Sequence, residues 1–163
     1  MRRSPVKEEK QDHGSTFLVG VIFALMVIVP ETIYPFVHVW RLPHDALTVG
    51  IFVGLVGVLV RFSAVTTLGR FYSRNVGIQE KHELIQTGWY RIIRHPGYLG
   101  TLLTFLGYAI ATQSALSVII NVVLFFVAYS YRIRTEEATL VSQFGDSYRQ
   151  YQKNTWRLIP FIY

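Results

Sequence analysis

Between Gly88 and Gly100 the chain reads Gly-Trp-Tyr-Arg-Ile-Ile-Arg-His-Pro-Gly-Tyr-Leu-Gly, which gathers Arg91, Arg94, His95 and Tyr98 just ahead of a long apolar run. A second charged group, Arg132-Ile-Arg-Thr-Glu-Glu137, follows the next apolar run. Guanidinium and imidazole groups beside free helix amides suit the binding of an anionic group. The same residue types also have a plainer use. Arg91 and Arg94 can mark the cytosolic side of a membrane, Tyr98 can belong to an interfacial aromatic belt, and Arg132 with Glu136 is an i,i+4 pair of the kind that makes a weak surface salt bridge.

The elements that must position these groups are apolar helices. Pro96 lacks an amide hydrogen and has a fixed φ, which suits the first turn of a helix and pushes His95 towards extended backbone. A helix therefore starts at Pro96 and runs into the apolar stretch Leu99 to Thr112, leaving Arg91, Arg94, His95 and Tyr98 at its water-facing end. Composition agrees: 51% of the 163 residues are hydrophobic and 16% charged, and mean hydropathy is +0.31, too apolar for an ordinary soluble domain. Cysteine is absent, which removes disulfides, thiolate metal sites and cysteine nucleophiles. No metal site is expected. The net charge of +6 lies in blocks between apolar runs, so it speaks for membrane topology and not for nucleic acid.

The expected architecture is an all-α integral membrane protein with about four transmembrane helices and a C-terminal amphipathic interfacial helix. Residues 1–15 form a cytosolic tail and 16–163 one membrane domain. Spans are predicted at about 16–40, 46–68, 96–112 and 115–131. Phe17 to Val29 alone would rise about 20 Å as a helix, short of the roughly 30 Å hydrocarbon core, so the first span is expected to continue through Pro30 with a kink. That places Glu31 near the far interface. Gly50, Gly54 and Gly57 fall close to one helical face, a pattern that lets two membrane helices pack closely, and Arg61 is expected to snorkel to the interface. Val141, Phe144, Tyr148 and Tyr151 follow at spacings of three and four, so their apolar face can lie on the bilayer or on the site.

Basic residues set the orientation. With four spans, Arg2, Arg3, Lys7 and Lys10, the central Arg70, Arg74, Lys81, Arg91 and Arg94, and the C-terminal Arg132, Arg134, Arg149, Lys153 and Arg157 share one side, leaving only Arg41 opposite and Arg61 within a span. By the positive-inside rule that side is the cytosol, with both termini on it. A hairpin that begins at Tyr98 and ends at Arg132 brings the two charged groups together there.

The string His82-Glu-Leu-Ile, Gly88-Trp-Tyr90 and Arg94-His-Pro-Gly-Tyr98, followed by Arg132-Ile-Arg-Thr-Glu-Glu137, Phe144-Gly145, Tyr148, Tyr151 and Leu158-Ile-Pro-Phe161, resembles the isoprenylcysteine carboxyl methyltransferase family. The resemblance covers residues 75–163. It implies transfer of a methyl group from S-adenosyl-L-methionine, entering from the cytosol, to a lipophilic or prenylated acceptor entering from the bilayer among the membrane lipids. It also implies that His82, Glu83, Leu84, Ile85, Tyr90, His95, Pro96, Gly97, Tyr98 and Glu136 bind the cofactor and that Arg132 serves the acceptor. Ile85 departs conservatively from the usual Val, and a family glutamine falls on Asn75 or on Gln79. A carboxylate acceptor needs no general base, and Arg132 can hold one with a charge-assisted contact. The other readings are a phospholipid or amine N-methyltransferase and a non-enzymatic four-helix membrane protein.

Overall fold

The structure, a computed structural model, describes residues 14–33, 40–69 and 84–163. Five α-helices follow in order: α1 (Ser15–Ile33), α2 (Ala46–Leu68), α3 (Pro96–Ala111), α4 (Ala115–Phe144) and α5 (Asp146–Asn154), with a 3-10 turn at Gly88–Arg91 before α3. Among the described residues the only extended pairings are single bridges, Arg41 with Ser114 and Ile93 with Trp156. The described residues are helical apart from these bridges and the connecting turns. Helices α2 and α4 are long and apolar enough to cross a membrane, and the apolar stretches 16–32 and 96–111 are shorter.

α2 packs chiefly on α3, and α1 on α4, with α3 also against α4. Small residues explain the first pairing. A methyl group added at Gly50 or Gly57 of α2, or at Gly100 or Gly107 of α3, would run into the backbone of the other helix. Only glycine allows the two axes to come so close. At this seam Arg61 Nη1 donates to the Gly97 carbonyl at 3.1 Å and the Thr101 hydroxyl at 2.6 Å.

Buried side chains of α1, α3, α4 and the C-terminal segment fill the core: Ile22, Met26, Leu102, Phe125, Tyr129, Ile133 and Leu158. Ring contacts connect it, with Phe125 stacked on Tyr129 at 4.3 Å and Tyr129 at 4.7 Å from Tyr98. α1 passes through Pro30 and is described as far as Ile33, the predicted continuation over residues 34–39 lying outside the described residues. At the far end of the bundle the two connecting loops are tied together, the Leu42 amide donating to the Gln113 carbonyl and the Ala115 amide to the Trp40 carbonyl. There Glu31 is exposed and accepts a hydrogen bond from Tyr108 at 2.7 Å.

α4 is one element through its charged stretch. It starts at Ser114, whose hydroxyl accepts from the Ser117 amide, and carries Arg132 to Glu137 four turns in and beyond, on the same rigid rod as the apolar span. It stops at Gly145, where φ is +55°, a conformation glycine adopts without a Cβ penalty. The break divides the amphipathic stretch: Val141 and Phe144 stay on α4, and Tyr148 and Tyr151 belong to α5. Both tyrosines are buried, so the apolar face of α5 lies on protein beside the site.

Candidate functional site

Pro96 sits in the first turn of α3 and His95 caps it with φ −123° and ψ 57°, outside the helical region as the residue before a proline should be. The strand-like segment leading into α3 is stitched to the C-terminal segment. The Arg94 amide donates to the Trp156 carbonyl at 2.8 Å, the His95 amide to the Arg157 carbonyl at 3.1 Å, and the Trp156 amide to the Ile92 carbonyl at 3.0 Å. The mouth of α3 is therefore held from three sides: by α2 through Arg61, by α4, and by the C-terminal segment.

Two adjacent carboxylates of α4 face this mouth in different directions, because consecutive helical residues point about 100° apart. Glu136 turns towards Tyr98, whose hydroxyl donates to its Oε2 at 2.5 Å. Arg132 Nε donates to the same Tyr98 oxygen at 2.9 Å, and Arg132 Nη1 donates to the Thr16 hydroxyl at 3.0 Å. Tyr98 thus stands between the two residues that look in sequence like a surface ion pair, and Arg132 is buried. The His95 and Tyr98 rings stack, 5.4 Å between centroids and 9° between planes.

Glu137 turns inward. Its Oε1 accepts from Arg94 Nε at 2.8 Å and lies 3.4 Å from His95 Nε2, and its Oε2 is 3.0 Å from Arg157 Nη2. Burial alone would raise the Glu137 carboxyl, but hydrogen bonds from His95 and Arg94 and the Arg94 charge outweigh it and hold it at about 2. Arg94 Nη1 also donates to the carbonyls of Gln152 and Thr155, locking the end of α5 to this cluster. Tyr151 donates its hydroxyl to the Tyr90 carbonyl at 2.6 Å, and burial, the larger effect, pushes that phenol up to about 12, so it remains a donor at neutral pH.

His95, Tyr98, Arg132 and Glu136 thus converge, with Pro96 and Gly97 forming the turn beneath them. Tyr90 is buried on the 3-10 turn with its hydroxyl towards the Ala64 carbonyl of α2, and Leu84 and Ile85 are half-buried ahead of that turn. His82, Glu83, Asn75 and Gln79 lie outside the described residues. Glu137 and Arg157 carry the inner half of the cluster and went unassigned in sequence, as did the contact of Thr16 with Arg132. The adjacency of Glu137 to Glu136, and of Arg94 to His95, was the available signal. Nothing local pointed to Arg157 or Thr16.

The model of the isoprenylcysteine carboxyl methyltransferase (ICMT) family matches residues 48–142, from the start of α2 almost to the end of α4. The chain is 39% identical over 112 residues to the protein-S-isoprenylcysteine O-methyltransferase of Schizosaccharomyces pombe, covering 65% of this chain and 46% of that protein. It is 34% identical over 116 residues to the probable protein-S-isoprenylcysteine O-methyltransferase of Oryza sativa subsp. indica, covering 70% and 61%. With the Saccharomyces cerevisiae protein-S-isoprenylcysteine O-methyltransferase the identity is 30% over 161 residues, covering 93% and 66%. Among solved structures, the eukaryotic intramembrane Ras methyltransferase ICMT matches with a TM-score of 0.69 and 26% identity over 90% of this chain and 52% of that one. The chain therefore spans about half to two thirds of the length of these relatives.

Proposed function

This chain belongs to the isoprenylcysteine carboxyl methyltransferase family, and from that premise we propose that it transfers a methyl group from S-adenosylmethionine to the carboxylate of a lipophilic acceptor of the isoprenylcysteine kind. The observation that carries the reading is the convergence of His95 and Tyr98 from the mouth of α3 with Arg132 and Glu136 from α4. A surface ion pair would need neither the buried imidazole nor the shared phenol.

The residues fit such a methyl donor. Both close contacts of Glu136 use Oε2, and its side chain is 32% exposed, so Oε1 is an acceptor for a ligand hydroxyl or ammonium. The stacked His95 and Tyr98 rings offer an aromatic surface that attracts a cation. When bound, the cofactor supplies a methyl group on a cationic sulfur that a nucleophile displaces in line. Glu136 holds the polar part of the donor, His95 and Tyr98 line it, and Leu84, Ile85 and Tyr90 flank the entry, with His82 and Glu83 assigned by the family motif alone.

Arg132 serves the acceptor. A carboxylate is already a competent nucleophile, so the work is orientation and the drawing together of two ligands, for which a planar guanidinium suits a carboxylate. The Tyr98 hydroxyl ties Arg132 to Glu136, so acceptor and donor residues share one rigid frame. We place this frame at the cytosolic face of a four-span domain comprising residues 16–163, with 1–15 as a cytosolic tail, because the basic residues crowd that side. The donor then arrives from water and the acceptor from the bilayer.

The test is binding of S-adenosylmethionine to purified protein in detergent, followed by transfer of labelled methyl to an S-prenylated N-acylcysteine, a phosphatidylethanolamine and a long-chain amine. Methylation of the carboxylate alone is the expected result. Transfer only to the amines, or none, would overturn the reading.

A further inference from the structure

The His95 ring has three close relations among the described residues, and only one of them is a hydrogen bond. Nε2 lies 3.4 Å from Glu137 Oε1, Nδ1 lies 3.9 Å from Glu136 Oε2, beyond hydrogen-bond reach, and the ring face lies on Tyr98. The side chain is 4% exposed. Glu136 Oε2 is claimed by the Tyr98 hydroxyl, so the partner that sets the angle and tautomer of the imidazole is Glu137.

Glu137 is itself immobile. Arg94 Nε on Oε1 and Arg157 Nη2 on Oε2 hold the carboxylate from both sides, and its side chain is 7% exposed. Arg94 is fixed in turn by carbonyls of Gln152 and Thr155. A neutral histidine that donates from one ring nitrogen presents the other as an acceptor, and the donated bond decides which is which.

We propose that Glu137 is a positioning residue for methyl transfer: by accepting the Nε2 proton of His95 it turns Nδ1, as a hydrogen-bond acceptor, to the Glu136 side of the site, where a donor group of S-adenosylmethionine docks. The inference rests on the methyl-donor reading above. It gives adjacent carboxylates of one helix different work, Glu136 touching ligand and Glu137 acting through His95.

A double-mutant cycle tests it, with S-adenosylmethionine titrated calorimetrically into wild type, Glu137→Met, His95→Ala and the double variant in detergent. Glu137→Met should weaken donor binding about fivefold in the wild-type background, in the range of coupling between contacting residues, and less than twofold once His95 is absent. Equal losses in both backgrounds, or none in the first, would show a structural role only and overturn the proposal. Should Glu137→Met fail to fold, the wild type still decides: nitrogen NMR of labelled histidine at neutral pH, with His95 assigned by its loss in His95→Ala, should find Nε2 protonated and Nδ1 bare. The reverse tautomer, or protons on both, would overturn it. Wild type that binds no donor at all would overturn the functional reading as well, so the two failures are distinct.

Discussion

Tyr98 donates its hydroxyl proton to Glu136 across 2.5 Å, and the same oxygen accepts from Arg132. One phenol therefore couples a residue assigned to the donor with one assigned to the acceptor. Removing it should affect both ligands. Tyr98→Phe keeps the ring stack on His95 and takes away one partner each from Arg132 and Glu136, a loss on the order of 1.5–3 kcal/mol for hydrogen bonds to charged groups. S-Adenosylmethionine affinity and the rate of transfer should both fall more than tenfold, measured by titration and single turnover.

Arg132 and Glu136 should nevertheless separate when changed singly. Glu136→Ala is expected to weaken donor binding chiefly, whereas Arg132→Ala should leave donor affinity within a few-fold and slow transfer to a carboxylate. Arg132→Lys should rescue only in part, since an ammonium lacks the planar fork. Near-wild-type single-turnover rates in Arg132→Ala would remove the acceptor role.

The α2–α3 seam should be intolerant of a single methyl. Gly107→Ala places a Cβ against the Gly54 backbone, and overpacking of this kind costs about 1–3 kcal/mol. Gly20→Ala, on α1 with nothing near its added carbon, is the control and should be neutral or slightly stabilising. Thermal unfolding in detergent compares the two.

Acid should loosen the cluster through Glu137. Its carboxyl is held at about 2 against an ordinary 4.5, burial opposing and the hydrogen bonds of His95 and Arg94 with the Arg94 charge prevailing. A depressed carboxyl contributes stability that is present above pH 4.5 and is lost as pH falls through 2, here about 3 kcal/mol. Wild type should lose melting temperature steeply between those values. Glu137→Gln should begin lower and lose less across the same window.

Reporter fusions at both ends should report the cytosol. All lysines and arginines except Arg41 and Arg61 fall on one side of a four-span path. Opposite locations for the two termini would break that path.

Much of this protein was legible in one dimension because its rules are local. Pro96 before an apolar run specifies where α3 starts, the run Ala46 to Leu68 specifies α2 to the residue, and glycines at helical spacing specify a close seam, since each follows from backbone sterics or from transfer of a side chain to hydrocarbon. The short turn Gln113-Ser114 made the α3–α4 hairpin, and with it the meeting of Tyr98 with Arg132. What the tertiary structure alone decided is which groups touch. The i,i+4 spacing of Arg132 and Glu136 suggested a direct pair, yet Tyr98 from another helix stands between them. Arg157 reaches Glu137 only because the C-terminal segment bridges at Ile93 and Trp156, a pairing of residues distant in the chain. Glu136 and Glu137 are identical in type and adjacent in sequence. One is a third exposed beside the phenol and the other is buried between two guanidiniums, because neighbouring positions on a helix face different surroundings and only the packing of the other elements says what those surroundings are.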